Sequence, residues 1–232
     1  QSPSTTLNNS AQLTYNTTST LSAATSVSVL QPLMSPVTKL GNGTSNTSAS
    51  ALAVNVASDT VQFTLESCNS TGLAAAYNVQ LSDVLASQLD EGSLVGPTVT
   101  INGAAATDGV NYTYTPPAGR GGSLVIDLID GVNPGQCVTA VYDIGFYTDF
   151  GPNQSWSNSV TLDEYWSLDG NAGVQYPGSG PASFWMTNEV AVTPLSKSVL
   201  SPESEITVGE VVTYRIVVPA TPVNAALDNV SI

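Results

Sequence analysis

The run Val138-Thr139-Ala140-Val141-Tyr142-Asp143-Ile144 places an apolar side chain at every second position, the period of a β-strand with one buried face. Clusters of Asn, Gly, Pro and Asp separate it from similar runs, at Val61–Leu65, Tyr77–Leu81, Thr98–Ile101, Leu124–Leu128 and Val211–Val218. Short strands at this spacing predict an all-β protein built as an antiparallel β-sandwich. One segment, Ser82–Leu89, is a candidate for one or two helical turns, with Ser82 as its cap.

The two lysines of the chain lie in similar phrases, Gln31–Leu40 with Lys39 and Thr193–Leu200 with Lys197. Further phrases recur in the same order about 150 residues later, namely Asn9–Tyr15 in Asn158–Tyr165, Asp59–Leu65 in Glu210–Ile216, and Tyr77–Leu81 in Asp228–Ile232. Recurrence at a domain-sized interval is typical of a tandem array. We therefore predict closing strands of one repeat in 1–29, a complete repeat in 30–191 and opening strands of another in 192–232. The chain is then part of a longer polypeptide, or neighbouring units supply the missing strands.

The composition argues against several classes of function. Only 9% of the 232 residues are charged, and 18 acids against four bases give a net charge of −14. Nucleic acids and anionic membranes need a basic patch, so we predict neither as a partner. The sequence has no histidine, the commonest residue of hydrolytic triads, zinc sites and proton shuttles. No apolar run approaches the roughly 20 residues of a membrane span, and no constellation supports an enzyme.

Both cysteines, Cys68 and Cys137, lie in the predicted complete repeat, each at the end or the start of a strand-like run. We predict a disulfide between them, with two buried free thiols as the alternative. In the chain-entropy model a loop of about 70 residues closed in this way stabilises the fold by roughly 4 kcal/mol.

Asn-x-Ser/Thr sequons permit N-glycosylation on an exported surface, although many arise by chance in a chain so rich in Asn, Ser and Thr. They lie at Asn8, Asn16, Asn42, Asn46, Asn69, Asn111, Asn153 and Asn229.

The order of these motifs resembles a known family. A lysine in an opening strand is followed by a strand like Gly209–Tyr214, by the Asn-Val-x-Leu-Ser-Asp phrase of Asn78–Asp83 and by the late strand Asn158–Leu162. The pattern is similar to the tandem immunoglobulin-like repeat of unknown function in very large bacterial and archaeal surface proteins. Relatives of that repeat include isopeptide-forming domains of fimbriae and adhesins. The resemblance covers the complete repeat and both partial ones, and it implies an extracellular stalk, adhesin or filament.

The resemblance also implies a chemical site. Such relatives join a lysine amine to an asparagine side chain, with a nearby acid moving protons in an apolar pocket that keeps the lysine neutral and nucleophilic. The candidates here are Lys39 as nucleophile, Asn158 as electrophile with Asn188 as second choice, and Asp83 as proton shuttle. The alternative is a lysine that snorkels at a strand edge and an asparagine that closes a turn or binds backbone groups.

Aromatic residues concentrate between Tyr142 and Trp185. Much of this set is expected in the core, but Gly170–Pro181 is a glycine-rich excursion between strands. Aromatic side chains at its edges are candidates for a contact patch: Trp166, Tyr176, Phe184 and Trp185. A partner subunit is the favoured occupant of this patch, and a surface glycan is the alternative.

Four oxygen-bearing side chains lie close together in sequence, at Asp163, Glu164, Asp169 and Asn171. Calcium prefers such ligands, so these residues are weak calcium candidates; the alternative is a solvated acidic face. Apart from this calcium candidate, no cofactor is predicted. No pair of carboxylates is spaced across a cleft as glycosidase chemistry requires.

The leading interpretation is a structural module of an extracellular filament or giant cell-surface adhesin. It provides a mechanically stable stalk and contacts for self-assembly, with copies of itself or adjacent repeats as partners. Strand pairing between neighbours is one route to such contacts. The alternative is a carbohydrate-binding β-sandwich module of a secreted protein.

Overall fold

The computed structural model describes residues 4–15, 18–21, 24–71, 73–149, 151, 154–188, 195–200 and 207–218. The prediction of an all-β fold is confirmed. The strands are β1 (Ser4–Asn9), β2 (Gln12–Tyr15), β3 (Thr18–Leu21), β4 (Thr25–Leu30), β5 (Thr38–Gly41), β6 (Leu52–Val54), β7 (Val61–Cys68), β8 (Tyr77–Val84), β9 (Leu89–Ile101), β10 (Ala104–Ala105), β11 (Tyr112–Thr115), β12 (Ser123–Leu128), β13 (Cys137–Phe146), β14 (Ser155–Leu168), β15 (Ala172–Asn188), β16 (Ser196–Val199) and β17 (Tyr214–Val217). A 3-10 turn covers Ser48–Ser50.

Strands β5 to β15 form a two-sheet sandwich. One sheet has the order β10-β9-β13-β7-β5, and the other has the order β11-β12-β8-β14-β15-β6. The pairs are antiparallel, except that β6 runs parallel to β15. Buried apolar residues of both sheets form one hydrophobic cluster, so the core lies between the sheets.

The alternating runs of the sequence are the strands that face this core. Along β7, Val61, Phe63 and Leu65 are buried, while the residues between them are more exposed. The same alternation holds along β13, which pairs with β7 on one side and β9 on the other. Full burial of one such apolar side chain stabilises the fold by about 1.5–3 kcal/mol. The period-two pattern therefore fixes which side chains enter the core.

A disulfide joins the two cysteines in this structure. Cys68 ends β7 and Cys137 begins β13, and the two residues are directly opposite partners in the antiparallel ladder. The bond therefore ties together two neighbouring strands of the five-stranded sheet.

The predicted helical turn at Ser82–Leu89 is wrong. β8 continues through Val84, and β9 begins at Leu89. β8 pairs with β12 on one side and β14 on the other, so its backbone groups are used in both ladders. Asp83 follows Leu81 on the core-facing side of this strand, and both are buried.

The predicted glycine-rich excursion at Gly170–Pro181 is also wrong for most of its length. β15 begins at Ala172 and forms a long hairpin with β14. Only the connection near Gly170 and Asn171, both with positive φ, is a turn. The glycines that suggested a loop lie inside a paired strand, because β14 and β15 approach too closely there for a side chain.

The terminal strands pair among themselves. β1 pairs with β4, β2 with β3, and β16 with β17, each in an antiparallel two-stranded sheet. Among the described residues, no helix is long and apolar enough to span a membrane.

Candidate cross-link site between the sheets

Lys39 is a buried lysine in the first strand of the sandwich. It lies on β5 opposite Leu65 of β7, and its residue surface is only 4% exposed. Its side chain enters the space between the sheets, where Nζ lies 4.3 Å above the centre of the Phe63 ring and pairs with the carboxylate of Asp83. A buried ammonium needs such a partner, because removal from water strongly disfavours an isolated charge.

Asp83 and Asn158 reach the same space from the opposite sheet. Asp83 lies on β8 and Asn158 on the neighbouring β14, where Val160 pairs with Asp83 in the ladder. Both side chains belong to residues that are fully buried. The fold thus brings the three residues of the predicted isopeptide site into the core from two strands of one sheet and one strand of the other.

Tyr142 of β13 joins these side chains into one hydrogen-bond network. Its hydroxyl donates to Asp83 Oδ2 over 2.6 Å and accepts from Asn158 Nδ2 over 3.0 Å. Lys39 Nζ lies 3.4 Å from the same oxygen. One phenol oxygen therefore contacts the amine, the acid and the amide.

The surroundings of the network favour neutral groups. Burial lowers the pKa of Lys39 from 10.5 to about 8, although the Asp83 carboxylate acts in the opposite direction. Burial and the neighbouring Asp83 raise the pKa of Tyr142 well above its usual value, so its hydroxyl keeps its proton. An amine with a lowered pKa offers its lone pair more readily near neutral pH.

Aromatic rings enclose this space. The Phe63 ring lies 5.4 Å from that of Tyr142 and 5.9 Å edge-on from that of Phe184. Gly41 lies against Phe184 so closely that a Cβ would fall 2.5 Å from the ring. The pocket is therefore tightly packed and largely apolar, which limits the access of water.

Asn188, the second choice for the electrophile, lies elsewhere on β15. It is buried at the end of the strand, opposite Val54, and its Nδ2 donates to the carbonyl oxygen of Gly151. Asn158, not Asn188, contacts Tyr142. Sequence reasoning missed Tyr142 as a member of the site, because an aromatic residue in an alternating strand indicates only a core position.

One of the four residues of the predicted aromatic contact patch is buried. Phe184 is 1% exposed and packs in the core, so it is unavailable to a partner or a glycan. The Tyr176 ring stacks on that of Tyr165 at 5.2 Å. Trp166 and Trp185 are half-buried. The alternative expectation of a core role is therefore correct for Phe184.

The sequons differ in whether their asparagine can be reached. Asn69 is buried, and its side chain bonds the backbone of Leu33, Ala74 and Val132, so a glycan there is incompatible with the fold. The side chains of Asn46 and Asn111 are half-buried and hydrogen-bonded through Nδ2. Asn8 and Asn42 are exposed. The other three sequons lie outside the described residues: Asn16, Asn153 and Asn229.

The four calcium candidates do not share one loop. Asp163 and Glu164 are successive residues of β14 at a point where its pairing with β8 is irregular, so the regular alternation of faces does not hold there. The Asp163 carboxylate bonds Ser82 and Thr161, and that of Glu164 accepts from Gln175.

Asp169 and Asn171 belong to the turn that follows, where Asp169 accepts from the backbone of Gly170. Within the described part of the chain, the one group of three possible metal ligands is Glu66 with Cys68 and Cys137, and both of those sulfurs are in the disulfide.

No known family model matches the sequence, and no curated protein matches it. Similar solved structures are bacterial pilins. The major pilin subunit BcpA of Bacillus cereus shares 12% identity at a TM-score of 0.48 over 82% of this chain and 49% of that one. The major pilin SpaD of Corynebacterium diphtheriae shares 14% identity at a TM-score of 0.45 over 72% and 36%. The pilus backbone RrgB of Streptococcus pneumoniae shares 15% identity at a TM-score of 0.44 over 83% and 94%.

The chain spans about a third of full-length SpaD and half of BcpA.

Proposed function

We propose that this chain is a structural unit of an extracellular filament or surface stalk, and that an isopeptide bond joins Lys39 to Asn158 within it. The observation that carries the proposal is the buried network of Lys39, Asp83, Tyr142 and Asn158. A buried ion pair alone seldom stabilises a fold more than apolar residues of similar volume would. An amine of lowered pKa beside an acid and a carboxamide is, by contrast, the set of groups that amide transfer requires.

The positions of the two residues suit a load-bearing role. Lys39 lies in the first strand of the sandwich, and Asn158 lies in β14, the last strand but one. They belong to opposite sheets, so the bond would clamp the sandwich across its core. The bond would bear a pulling force applied through the two ends of the repeat, so the hydrogen bonds of β5 would not be sheared first.

The first prediction is a loss of one ammonia from the intact protein. Attack of Lys39 Nζ on Asn158 Cγ releases the Asn158 side-chain nitrogen, so we expect the measured mass to fall short of the sequence mass by one NH₃, after correction for the disulfide and any glycans. Lys39→Ala and Asn158→Ala should restore the full mass.

The second lysine of the chain provides the matched control. The Lys197 side chain is exposed, so Lys197→Ala should leave the ammonia loss intact. Peptide mapping of the wild-type protein should find Lys39 and Asn158 in one branched peptide. An unmodified mass in freshly folded wild-type protein would refute the cross-link.

The terminal strands support the proposed repeat architecture. β16 and β17 place Lys197 opposite Ile216, and β5 and β7 place Lys39 opposite Leu65. Lys197 Nζ lies 4.4 Å above the Tyr214 ring, close to the 4.3 Å between Lys39 and the ring of Phe63. The C-terminal pair thus repeats the lysine-bearing part of the site, but here its apolar side chains are exposed.

We infer that such faces pair with neighbouring units of the filament. Val199, Tyr214 and Ile216 lie with Lys197 on one face of the β16–β17 pair and are 44–52% exposed. On the β1–β4 pair, Leu7 lies opposite Val27, and both are exposed. Exposed contiguous apolar side chains on strand pairs are typical of surfaces that assemble with another chain.

The second prediction tests this pairing. A Val199→Ser/Tyr214→Ser variant should self-associate less than the wild-type protein, as measured by sedimentation velocity across a concentration series and by negative-stain images. Val110→Ser, which removes an exposed valine from a loop of the sandwich, is the control and should assemble normally. Equal assembly of all three proteins would contradict a role for the β16–β17 face.

A further inference from the structure

The side-chain amide of Asn158 is held in one orientation. Its Oδ1 accepts a hydrogen bond of 3.2 Å from the backbone N–H of Ala86. A backbone N–H only donates, so the atom that faces it must be the amide oxygen. The amide nitrogen therefore faces the opposite way, toward the Tyr142 hydroxyl 3.0 Å away.

This orientation separates the two ends of the reacting group. The Ala86 N–H lies where negative charge develops on oxygen when an amine attacks the carbonyl carbon, as an oxyanion-hole donor does. Tyr142 lies at the nitrogen that must leave. Among the described residues, the Tyr142 hydroxyl is the one hydrogen-bond partner of Asn158 Nδ2.

The acid reaches the leaving nitrogen through the same hydroxyl. Asp83 Oδ2 lies 2.6 Å from the Tyr142 oxygen, and Asp83 Oδ1 has no hydrogen-bond partner among the described residues. Asp83 contacts Lys39 directly and Asn158 only by way of Tyr142.

We propose that Tyr142 is a catalytic residue of the cross-linking reaction and relays a proton from Asp83 to the departing nitrogen of Asn158. This inference rests on the proposed Lys39–Asn158 bond. The acid and the leaving nitrogen are thus connected by two hydrogen bonds through one phenol oxygen.

The reaction moves protons only among Lys39, Asp83, Tyr142 and Asn158. Proton transfer within the Lys39–Asp83 pair leaves a neutral amine and a neutral acid. The amine lone pair then attacks Asn158 Cγ, and the carbonyl electron pair moves to Oδ1. The phenol hydrogen, which points to Asp83 Oδ2 before the reaction, turns toward Nδ2 once Oδ2 is protonated and the attack has given Nδ2 a lone pair. Asp83 then gives its proton to the Tyr142 oxygen as the phenol proton passes to Nδ2, and one Nζ proton returns to Asp83. The Cγ–Nδ2 bond breaks, its electron pair leaves with ammonia, and the C=O bond re-forms. One C–N bond is formed and one is broken, Tyr142 is regenerated, and ammonia takes the remaining proton of Asp83 and leaves as ammonium, which returns Asp83 to its carboxylate.

The chemistry explains why a hydroxyl is needed at this position. An amide nitrogen leaves as ammonia only after it gains a proton, because the unprotonated amide anion is far too basic to depart. Phenylalanine would fill the same space but could neither accept the Asp83 proton nor donate one to Nδ2. The raised pKa of Tyr142 keeps a proton on the hydroxyl throughout the neutral pH range.

The third prediction concerns the rate of bond formation. The full chain is made by cell-free synthesis and quenched at intervals, and the fraction that has lost ammonia is measured by intact mass. We expect Tyr142→Phe to slow this loss about 100-fold, the scale of general acid catalysis, while circular dichroism shows a folded protein. Tyr112→Phe is the control, since this buried tyrosine lies on β11 with its hydroxyl 3.5 Å from the Pro97 carbonyl, and should react at the wild-type rate.

A second variant tests proton transfer directly. Incorporation of 3-fluorotyrosine at position 142 makes the phenol more acidic with little change in shape, so a relay predicts an altered rate and an altered pH profile. A hydroxyl that only fills space predicts neither, and this variant decides the matter if Tyr142→Phe fails to fold.

The outcomes separate the two proposals. A wild-type chain that never loses ammonia overturns the Lys39–Asn158 bond itself. A wild-type chain that cross-links, with folded Tyr142→Phe or the fluorinated variant reacting at the same rate, overturns the relay alone.

Discussion

We expect Asp83→Ala to be the least stable single variant of the buried network, because it removes the cross-link and the partner of Lys39 together. Loss of a bond that closes a loop of about 120 residues costs about 5 kcal/mol in the chain-entropy model. An uncompensated buried charge costs about 3–5 kcal/mol more, since Lys39 has no other carboxylate beside it among the described residues. Denaturant unfolding measures the free energy, and intact mass on the same sample records the bond.

Two further variants separate these contributions. Asn158→Ala abolishes the bond but keeps the Lys39–Asp83 pair, so it should lose only about 5 kcal/mol. Lys39→Met/Asp83→Ala removes both charged groups and should be more stable than Asp83→Ala, because no buried charge is left unpaired. If Asp83→Ala kept the bond and the wild-type stability, Asp83 would neither transfer protons in the reaction nor stabilise Lys39.

The strands could be predicted from the sequence because one face of each is buried. The alternation of Val61–Leu65 and Val138–Ile144 survives as alternating burial in β7 and β13. Lys39, Asp83 and Asn158 could be named together because their order resembled a family with a known site. Tyr142 could not be named from the sequence. Its role depends on how the two sheets pack against each other, and no local sequence pattern indicates that packing.

The two wrong predictions of secondary structure share one cause, the override of local preference by long-range strand pairing. The sequence predicts a helical turn at Ser82–Leu89, but strand ladders on both sides hold the first three of these residues in β8. The glycines of Gly170–Pro181 suggested a loop, yet this segment pairs with β14. Asn69 has the pattern of a glycan acceptor but serves as an internal hydrogen-bonding group.

We expect Gly178→Ala to destabilise the protein by about 3 kcal/mol, the upper end of ordinary overpacking. A Cβ at Gly178 would overlap the carbonyl oxygen of Leu162, and backbone atoms cannot move aside as a flexible side chain can. β15 would have to separate from β14 next to the register shift between Val160 and Leu162. Because β14 also carries Asn158, we expect slower cross-linking as well as a lower denaturant midpoint.

Gly170→Ala is the control that separates the close approach of the two strands from the need for glycine at a positive φ. Gly170 lies in the turn of the same hairpin with a φ of +69°, but a Cβ there meets no atom within 4 Å. Gly170→Ala should lower the free energy of unfolding by only about 1–2 kcal/mol, which is the cost of a left-handed backbone conformation for alanine. The ammonia loss should keep the wild-type rate. If Gly178→Ala were as mild as Gly170→Ala, the β14–β15 ladder could not be as close as the structure has it. If Gly178→Ala lowered stability and slowed the bond together, the long hairpin would be what holds Asn158 against Tyr142.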